Sequence, residues 1–230
     1  SVPSKICAAS PSRRPRHPEP RPEAIDAAMF YEVSKGHGLP HDPFYSIVAP
    51  RPIGWISTIG ADGVVNLAPF AFFNGCGTEP PQVLFHNSTG RADGLMKDTI
   101  SNVEETGEFV ANLVTWELRE QMNETARAVP RSVDETTLAG LETEPSVLVK
   151  PPRVKASPAH LECRHTQTVE MLSNNKRFRN FVVFGEVLGV HISEDILTDG
   201  LVDNAKARLV ARLGYRDFAV IDAAPKMFFP

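Results

Sequence analysis

Residues 50–85 read PRPIGWISTIGADGVVNLAPFAFFNGCGTEPPQVLF, and this stretch decides the fold. Ile53, Trp55, Ser57 and Ile59 alternate with Gly54, Ile56 and Thr58, so a strand here carries bulky residues on both faces. Ala61-Asp62-Gly63 predicts a tight turn, because Gly accepts the positive φ that hairpins demand. A second strand follows, then a polar corner, Asn74-Gly75-Cys76-Gly77 before Pro80-Pro81, then a third strand at 83–86. Asn66-Leu67-Ala68-Pro69-Phe70 is odd for an ordinary strand, since Pro69 has no N–H to give to a ladder. Backbone with free N–H and C=O groups, bordered by small residues and aromatics, suits a planar ligand with a polar edge.

The rest of the chain sets bounds. Its 230 residues fit one compact β-rich domain with added helices. A net charge of −4 and a pI near 6.0 argue against a nucleic-acid partner or an anionic membrane surface. Cys7, Cys76 and Cys163 are odd in number and widely spaced, giving no disulfide framework and no zinc knuckle, which points to a cytoplasmic protein. No apolar run approaches the roughly 20 residues that span a bilayer. Residues 1–28 differ in kind: six prolines and four arginines fall in the first 22 positions, with few large apolar side chains. This composition predicts a disordered arm or an added leader, with a transit peptide as the alternative, and no secretory signal. Residues 29–230 form the folded domain. Gly75-Cys76-Gly77 lacks the third glycine of a dinucleotide fingerprint, and there is no GxSxG, Walker A or HExxH motif. Any chemistry must therefore come largely from a cofactor.

Beyond the opening stretch, the loop at 36–44 carries His37 and His41 without a third placed ligand, so no metal site is predicted. The strand at 83–86 runs into Asn87-Ser88-Thr89-Gly90-Arg91, a candidate anion loop or a plain surface turn. Lys97-Asp98-Thr99 opens a short helix with Ile100 and Val103 inward and Gly107 at its end; its N-terminus favours a phosphate. A strand at 109–114 leads to Thr115, expected to cap a helix over 116–126, and Asp134 opens another helix ending near Gly140. Leu161, Cys163, His165 and Val169 alternate with Glu162, Arg164, Thr168 and Glu170, predicting a long strand with one mostly polar face. Cys163 then reads as a small buried hydrophobe and His165 as a core histidine. Lys176, Arg177 and Arg179 mark either a phosphate contact or a solvated hairpin tip. Gly185 and Gly189 in the partner strand, 181–192, predict bulges or a close ligand approach. Arg212 and Tyr215 take no single role.

Six blocks carry a resemblance: MFYEVSKGHGLPHDPFYSIVAPRPIGWIST (29–58), NLAPFAFFNGCGTEPP (66–81), KDTISNVEETGEFVANL (97–113), VKPPRVKASPAHLEC (149–163), FGEVLGVHI (184–192) and ARLGYRDFAV (211–220). In this order they resemble the flavin reductase-like family of FMN-binding split barrels. The resemblance implies a mainly β fold with added helices: an antiparallel six-stranded split β-barrel, homodimeric, with FMN (FAD as the alternative) near the dimer contact. It implies that Asn66, Leu67, Ala68, Pro69, Phe70 and Asn74 meet the isoalloxazine ring, and that Trp55, Ser57 and Thr58 line its pyrimidine or ribityl side. Arg51 would lie near the phosphate or the ring, and Ser88, Thr89, Lys97, Asp98 and Thr99 would hold the ribityl phosphate. The implied function is an oxidoreductase passing hydride from NAD(P)H to bound flavin. The alternatives are an FMN-dependent monooxygenase acting on a small aromatic substrate and a non-catalytic flavin carrier. The implied partners are a second copy of the chain, a nicotinamide and a small-molecule or flavin acceptor.

Overall fold

The computed structural model describes residues 29–87, 96–174 and 179–227. The chain divides into two compact units at Pro40–His41. In the first, a single turn of 3-10 helix, Val33–Lys35, is tied by an ion pair from Lys35 to Glu32 at 2.9 Å.

The second unit is built on one antiparallel sheet. Its elements, in chain order, begin with α1 (Phe44–Ile47), β1 (Arg51–Pro52), β2 (Gly54–Ile59), β3 (Val65–Phe70), β4 (Phe73–Thr78) and β5 (Pro81–His86). Next come α2 (Asp98–Thr106), β6 (Glu108–Leu113), α3 (Arg119–Glu124), α4 (Glu135–Leu138), β7 (Thr143–Glu144) and β8 (Arg153–Val154). The long strands β9 (Ala159–Met171) and β10 (Asn180–Ile192) precede β11 (Leu197–Thr198), β12 (Leu201–Val202), α5 (Asn204–Ala207), β13 (Val210–Arg212) and β14 (Phe218–Val220). Seven strands form the main sheet in the order β3-β2-β6-β9-β10-β5-β4, and β1-β13-β14 form a smaller one. No helix among the described residues is long and apolar enough to cross a membrane.

The sheet has seven strands where six are expected, and it does not close. The extra strand is the predicted polar corner: residues 73–78 pair with β5 and form an exposed edge, with a register shift between Gly75 and Gly77. Its neighbour in sequence, β3, is the opposite edge. Six strand spacings of about 4.8 Å would hold the two edges roughly 29 Å apart in a flat sheet. Three Cα steps of about 3.8 Å join Phe70 to Phe73, a reach of roughly 11 Å. The sheet must therefore curl until its edges face each other across the link Ala71–Phe72. That facing, unbonded pair of edges is the split.

The interior confirms the curl. Ile56, Phe70, Phe85, Phe109, Cys163 and Val183 come from six different strands, yet share one core with Ile100 and Val103 of α2. Trp55 and Leu67, on the other face of β2 and β3, enter a second core with Leu118, Met122, Val154 and Val210. Strand β2 is thus buried on both sides, as its two bulky faces require. Gly54 sits where β2 meets the start of β4; a Cβ there would lie 2.5 Å from the Phe73 ring.

The local signals act as follows. The turn at 60–63 closes through Gly63 N–H to Gly60 O at 2.9 Å, with Gly63 at φ +84°. Asp134 caps α4 by accepting from the backbone N–H groups of Thr136 and Thr137. Register shifts in β10 lie at Phe184/Gly185 and Val187/Gly189, and a Cβ on Gly185 would meet Phe109 at 2.4 Å. Two expectations change. The segment after Thr115 is a 3-10 turn, Trp116–Leu118, followed by α3, and Thr115 makes no side-chain cap. Glu162, expected on the polar face of β9, is 0% exposed, because the Pro-rich segment at 145–152 folds over it. Its carboxylate accepts from Val147 N–H at 2.8 Å, Leu148 N–H at 2.6 Å and His191 Nε2 at 2.6 Å, so the buried charge is fully partnered.

Candidate functional site

A cavity of about 490 Å³ opens beside the split. The link from Pro69 to Phe72 forms one wall, and His86 and Asn87 at the end of β5 form another. Lys97, immediately before α2, also lines it. Arg51 of β1, Arg212 of β13 and Tyr215 line the far side with Tyr45, His41 and Asp42. Three of these side chains are cations and one is an acid. Asp42 is already engaged, accepting from Phe44 N–H at 2.9 Å.

Arg51 is 8% exposed. Its guanidinium carbon lies 5.0 Å from the Phe72 ring centroid and 5.6 Å from that of Tyr45, and an Nη donates to Leu213 O. Its Nε has no partner. Burial, then the neighbouring Arg212, lower its basicity. Arg212 stacks over Phe218 at 4.4 Å and donates to Tyr215 O. Lys97 places Nζ 5.7 Å from the Phe70 centroid, and burial lowers its pKa. His86 is likewise pushed down by burial and meets the Phe72 ring edge-on at 5.3 Å, so it is a neutral imidazole at pH 7.

Of the residues singled out in the sequence, Arg51, Pro69, Phe70 and Lys97 line this cavity. Others are engaged inside the fold. Trp55 is 0% exposed and donates its indole N–H to Thr125 Oγ1 at 2.8 Å. Ser57 donates to Pro152 O at 2.6 Å, and Thr58 Oγ1 accepts from Asn102 Nδ2 at 3.1 Å. Asn66 donates to Thr99 Oγ1 at 2.9 Å, which docks α2 on β3. Leu67 lies in the second core and its backbone N–H goes to Glu135 Oε2 at 3.1 Å. Two residues further along the same edge, Pro69 has no N–H to offer, so β3 presents no free donor at either position. Ala68 is packed against the first core. Asn74 is exposed on β4, its Oδ1 accepting from Gly75 N–H at 3.0 Å. Asp98 begins α2. Ser88 and Thr89 lie outside the described residues.

Tyr45, Phe72 and His86 escaped sequence reasoning, Asn87 entered it only as the start of a candidate anion loop, and Arg212 and Tyr215 had no role. Their common signal is weak: aromatic or cationic residues next to glycine or proline, in segments too short to show a period. The fold brings them together through the pairing of Arg51 with Arg212 across β1 and β13, the His86 N–H to Phe72 O bond at 2.9 Å and the Tyr45–Phe72 ring contact.

A second cavity, of about 450 Å³, lies by His160 and His191. It has no aromatic wall beyond these imidazoles. Among the described residues no three His, Cys, Asp or Glu side chains are grouped to hold a metal ion. Of these two cavities, the first joins flat apolar surfaces to cations that have no acidic partner among the described residues.

Comparisons with known proteins bear on that cavity. The sequence pattern of the "flavin reductase like domain" matches residues 46–209. An uncharacterized protein of Aquifex aeolicus is 42% identical over 169 residues, 73% of this chain and 83% of that protein. Among solved structures, nitrilotriacetate monooxygenase component B from Bacillus cereus superposes with a TM-score of 0.78 at 23% identity, over 88% of this chain and 100% of that one. The 2-nitrobenzoate 2-nitroreductase of Pseudomonas fluorescens gives 0.72 at 23% identity, over 87% and 96%.

Proposed function

The chain belongs to the flavin reductase like family, and from that premise we propose that it is an FMN-binding oxidoreductase taking hydride from NAD(P)H. The observation that carries this reading is the cavity at the split. Its volume, about 490 Å³, falls in the range of about 300–1,000 Å³ typical of cofactor pockets. Its walls suit the group: aromatic faces for a flat ring, a sheet edge beside it and a cation at the start of a helix for a phosphate. A bound flavin supplies the hydride acceptance and donation, which accounts for a cavity with no catalytic triad among its described lining residues.

In this reading Lys97 and the first-turn N–H groups of α2 hold the phosphate, with Ser88 and Thr89 from the adjoining loop. Pro69 and Phe70 border the ring, and Arg51 flanks it. Trp55, Ser57, Thr58, Asn66, Leu67 and Thr99 act by positioning, since their polar groups and side chains are spent on holding β2, β3 and α2 together. Ala68, Asn74 and Asp98 complete the proposed set. A homodimer is proposed because apolar side chains such as Ile47, Leu201 and Val202 stand exposed on the chain alone. The free thiols Cys76 and Cys163 accord with a cytoplasmic setting.

The test is the visible spectrum of the protein after incubation with FMN or FAD and removal of unbound flavin, repeated anaerobically with NADH and NADPH. A retained flavin band that bleaches within seconds supports the proposal. Readmitting oxygen with small aromatic substrates then separates a reductase from a monooxygenase. A retained band that does not bleach assigns the chain to the carrier class. Loss of all flavin on separation overturns the proposal.

A further inference from the structure

Arg51 and Arg212 are register partners across the antiparallel strands β1 and β13. Residues so paired project their side chains from the same face, where like charges destabilise a sheet. No carboxylate of the described residues is ion-paired with either guanidinium, and Asp42 is spent on Phe44 N–H. Arg51 is more than nine-tenths buried and its Nε has no partner. A fold that places two guanidiniums at one cavity wall with no acidic partner among the described residues is built for an anion.

Which anion follows from the layout. Lys97 stands over Phe70, whereas the two arginines stand over Tyr45, Phe72 and Phe218. The cavity therefore has two cationic centres, while a flavin mononucleotide carries a single phosphate. Resting on the flavin reading of this cavity, we propose that Arg51 and Arg212 form an oxyanion subsite for the carboxylate or phosphate of a planar second reactant. The ring of that reactant lies against Tyr45 and Phe72, and its anionic group meets the paired guanidiniums in the forked geometry that arginine favours. The turn that completes the subsite is fixed by close packing: a Cβ on Gly214 would fall 1.8 Å from Ser46 Oγ of α1, so α1 and the Arg212 turn meet only because residue 214 is glycine.

The test uses matched charged and neutral probes on the FMN-loaded protein, read by calorimetry and by perturbation of the flavin spectrum. Benzoate is paired with benzamide, and nicotinamide mononucleotide with nicotinamide, so the two arms separate a carboxylate from a phosphate source. At least one charged probe is expected to bind about tenfold or more tightly than its neutral twin. Arg212→Gln removes that preference and leaves the ratio of FMN to riboflavin affinity unchanged. Arg51→Gln, where it folds, also removes the charged-probe preference; Arg212, which is less buried, keeps the test decisive where it does not. Equal binding of charged and neutral probes in both arms overturns the proposal. So does a collapse of the FMN-to-riboflavin ratio in Arg212→Gln, which assigns the pair to the flavin phosphate. If the wild-type protein retains no flavin, the flavin reading fails separately. The same titrations on the flavin-free protein, read by calorimetry alone, then test the pair by the charged-probe preference and its loss in Arg212→Gln.

Discussion

Glu135 shows how a single side chain keeps the sheet edge in order. It is buried at the start of α4, and its Oε2 takes the outward backbone N–H of Leu67 on β3. Burial is the largest influence on its carboxyl and raises its pKa, with Asp98 and Asp134 adding to the rise and the Leu67 N–H opposing it. A carboxyl whose pKa is higher folded than unfolded binds more protons in the folded state. Stability therefore falls as pH rises from the ordinary glutamate value, about 4.3, through the raised one. Glu135→Gln keeps an acceptor for Leu67 and has no charge to bury. Its Tm relative to the wild type should be more favourable at pH 7 than at pH 4, measured by thermal denaturation at both. A difference independent of pH would show that the carboxylate is not strained by its burial. Glu135 could not be singled out in the sequence, because its burial depends on β3 having no neighbouring strand on that side. Trp55 shows a related limit: its alternation was readable, but the identity of its indole partner, Thr125, 70 residues away, was not.

At the scale of elements, the hairpin at 54–70, the caps of α4 and the bulges at Gly185 and Gly189 were legible, because each rests on residues adjacent in sequence. The seventh strand was not. Its amides and glycines read as a corner, and only pairing with β5 makes them a strand. Helix α2 was legible in position but not in how it is anchored. Two buried amide–hydroxyl pairs dock it, Asn66 to Thr99 at 2.9 Å and Asn102 to Thr58 at 3.1 Å. Residues expected to touch a ligand thus set the helix whose start carries Lys97. Thr99→Val leaves the Asn66 amide unpaired in the interior, a cost of about 1–3 kcal/mol. For a chain of this size that lowers Tm by roughly 2–12 °C. Because α2 begins beside Lys97, the same variant should also narrow the preference for FMN over riboflavin in equilibrium titrations. A lower Tm with an unchanged preference would mean that the docking of α2 does not govern the phosphate end of the cavity.

For the whole molecule, charge and shape pull in opposite directions. The chain carries −4 overall, yet its cavity at the split gathers Arg51, Arg212 and Lys97 around a single engaged acid. A negative surface with a cationic hollow repels anions in general and draws them at one place, so binding gains selectivity more than reach. The split makes the hollow possible: two sheet edges that face each other without pairing leave a groove that a closed barrel would fill with hydrogen bonds. A ligand seated there touches the link between β3 and β4, the end of β5, the start of α2 and the β1–β13 pair, segments far apart in sequence. Its binding energy therefore opposes global unfolding rather than local opening. FMN at a hundredfold excess over its dissociation constant should stabilise the fold by about 2.7 kcal/mol. That corresponds to a rise in Tm of about 5–10 °C. Riboflavin at the same concentration, lacking the phosphate that Lys97 and α2 are proposed to hold, should give a smaller rise. Equal shifts from the two flavins would remove the phosphate anchor from the account while leaving the ring site, and no shift from either would remove both.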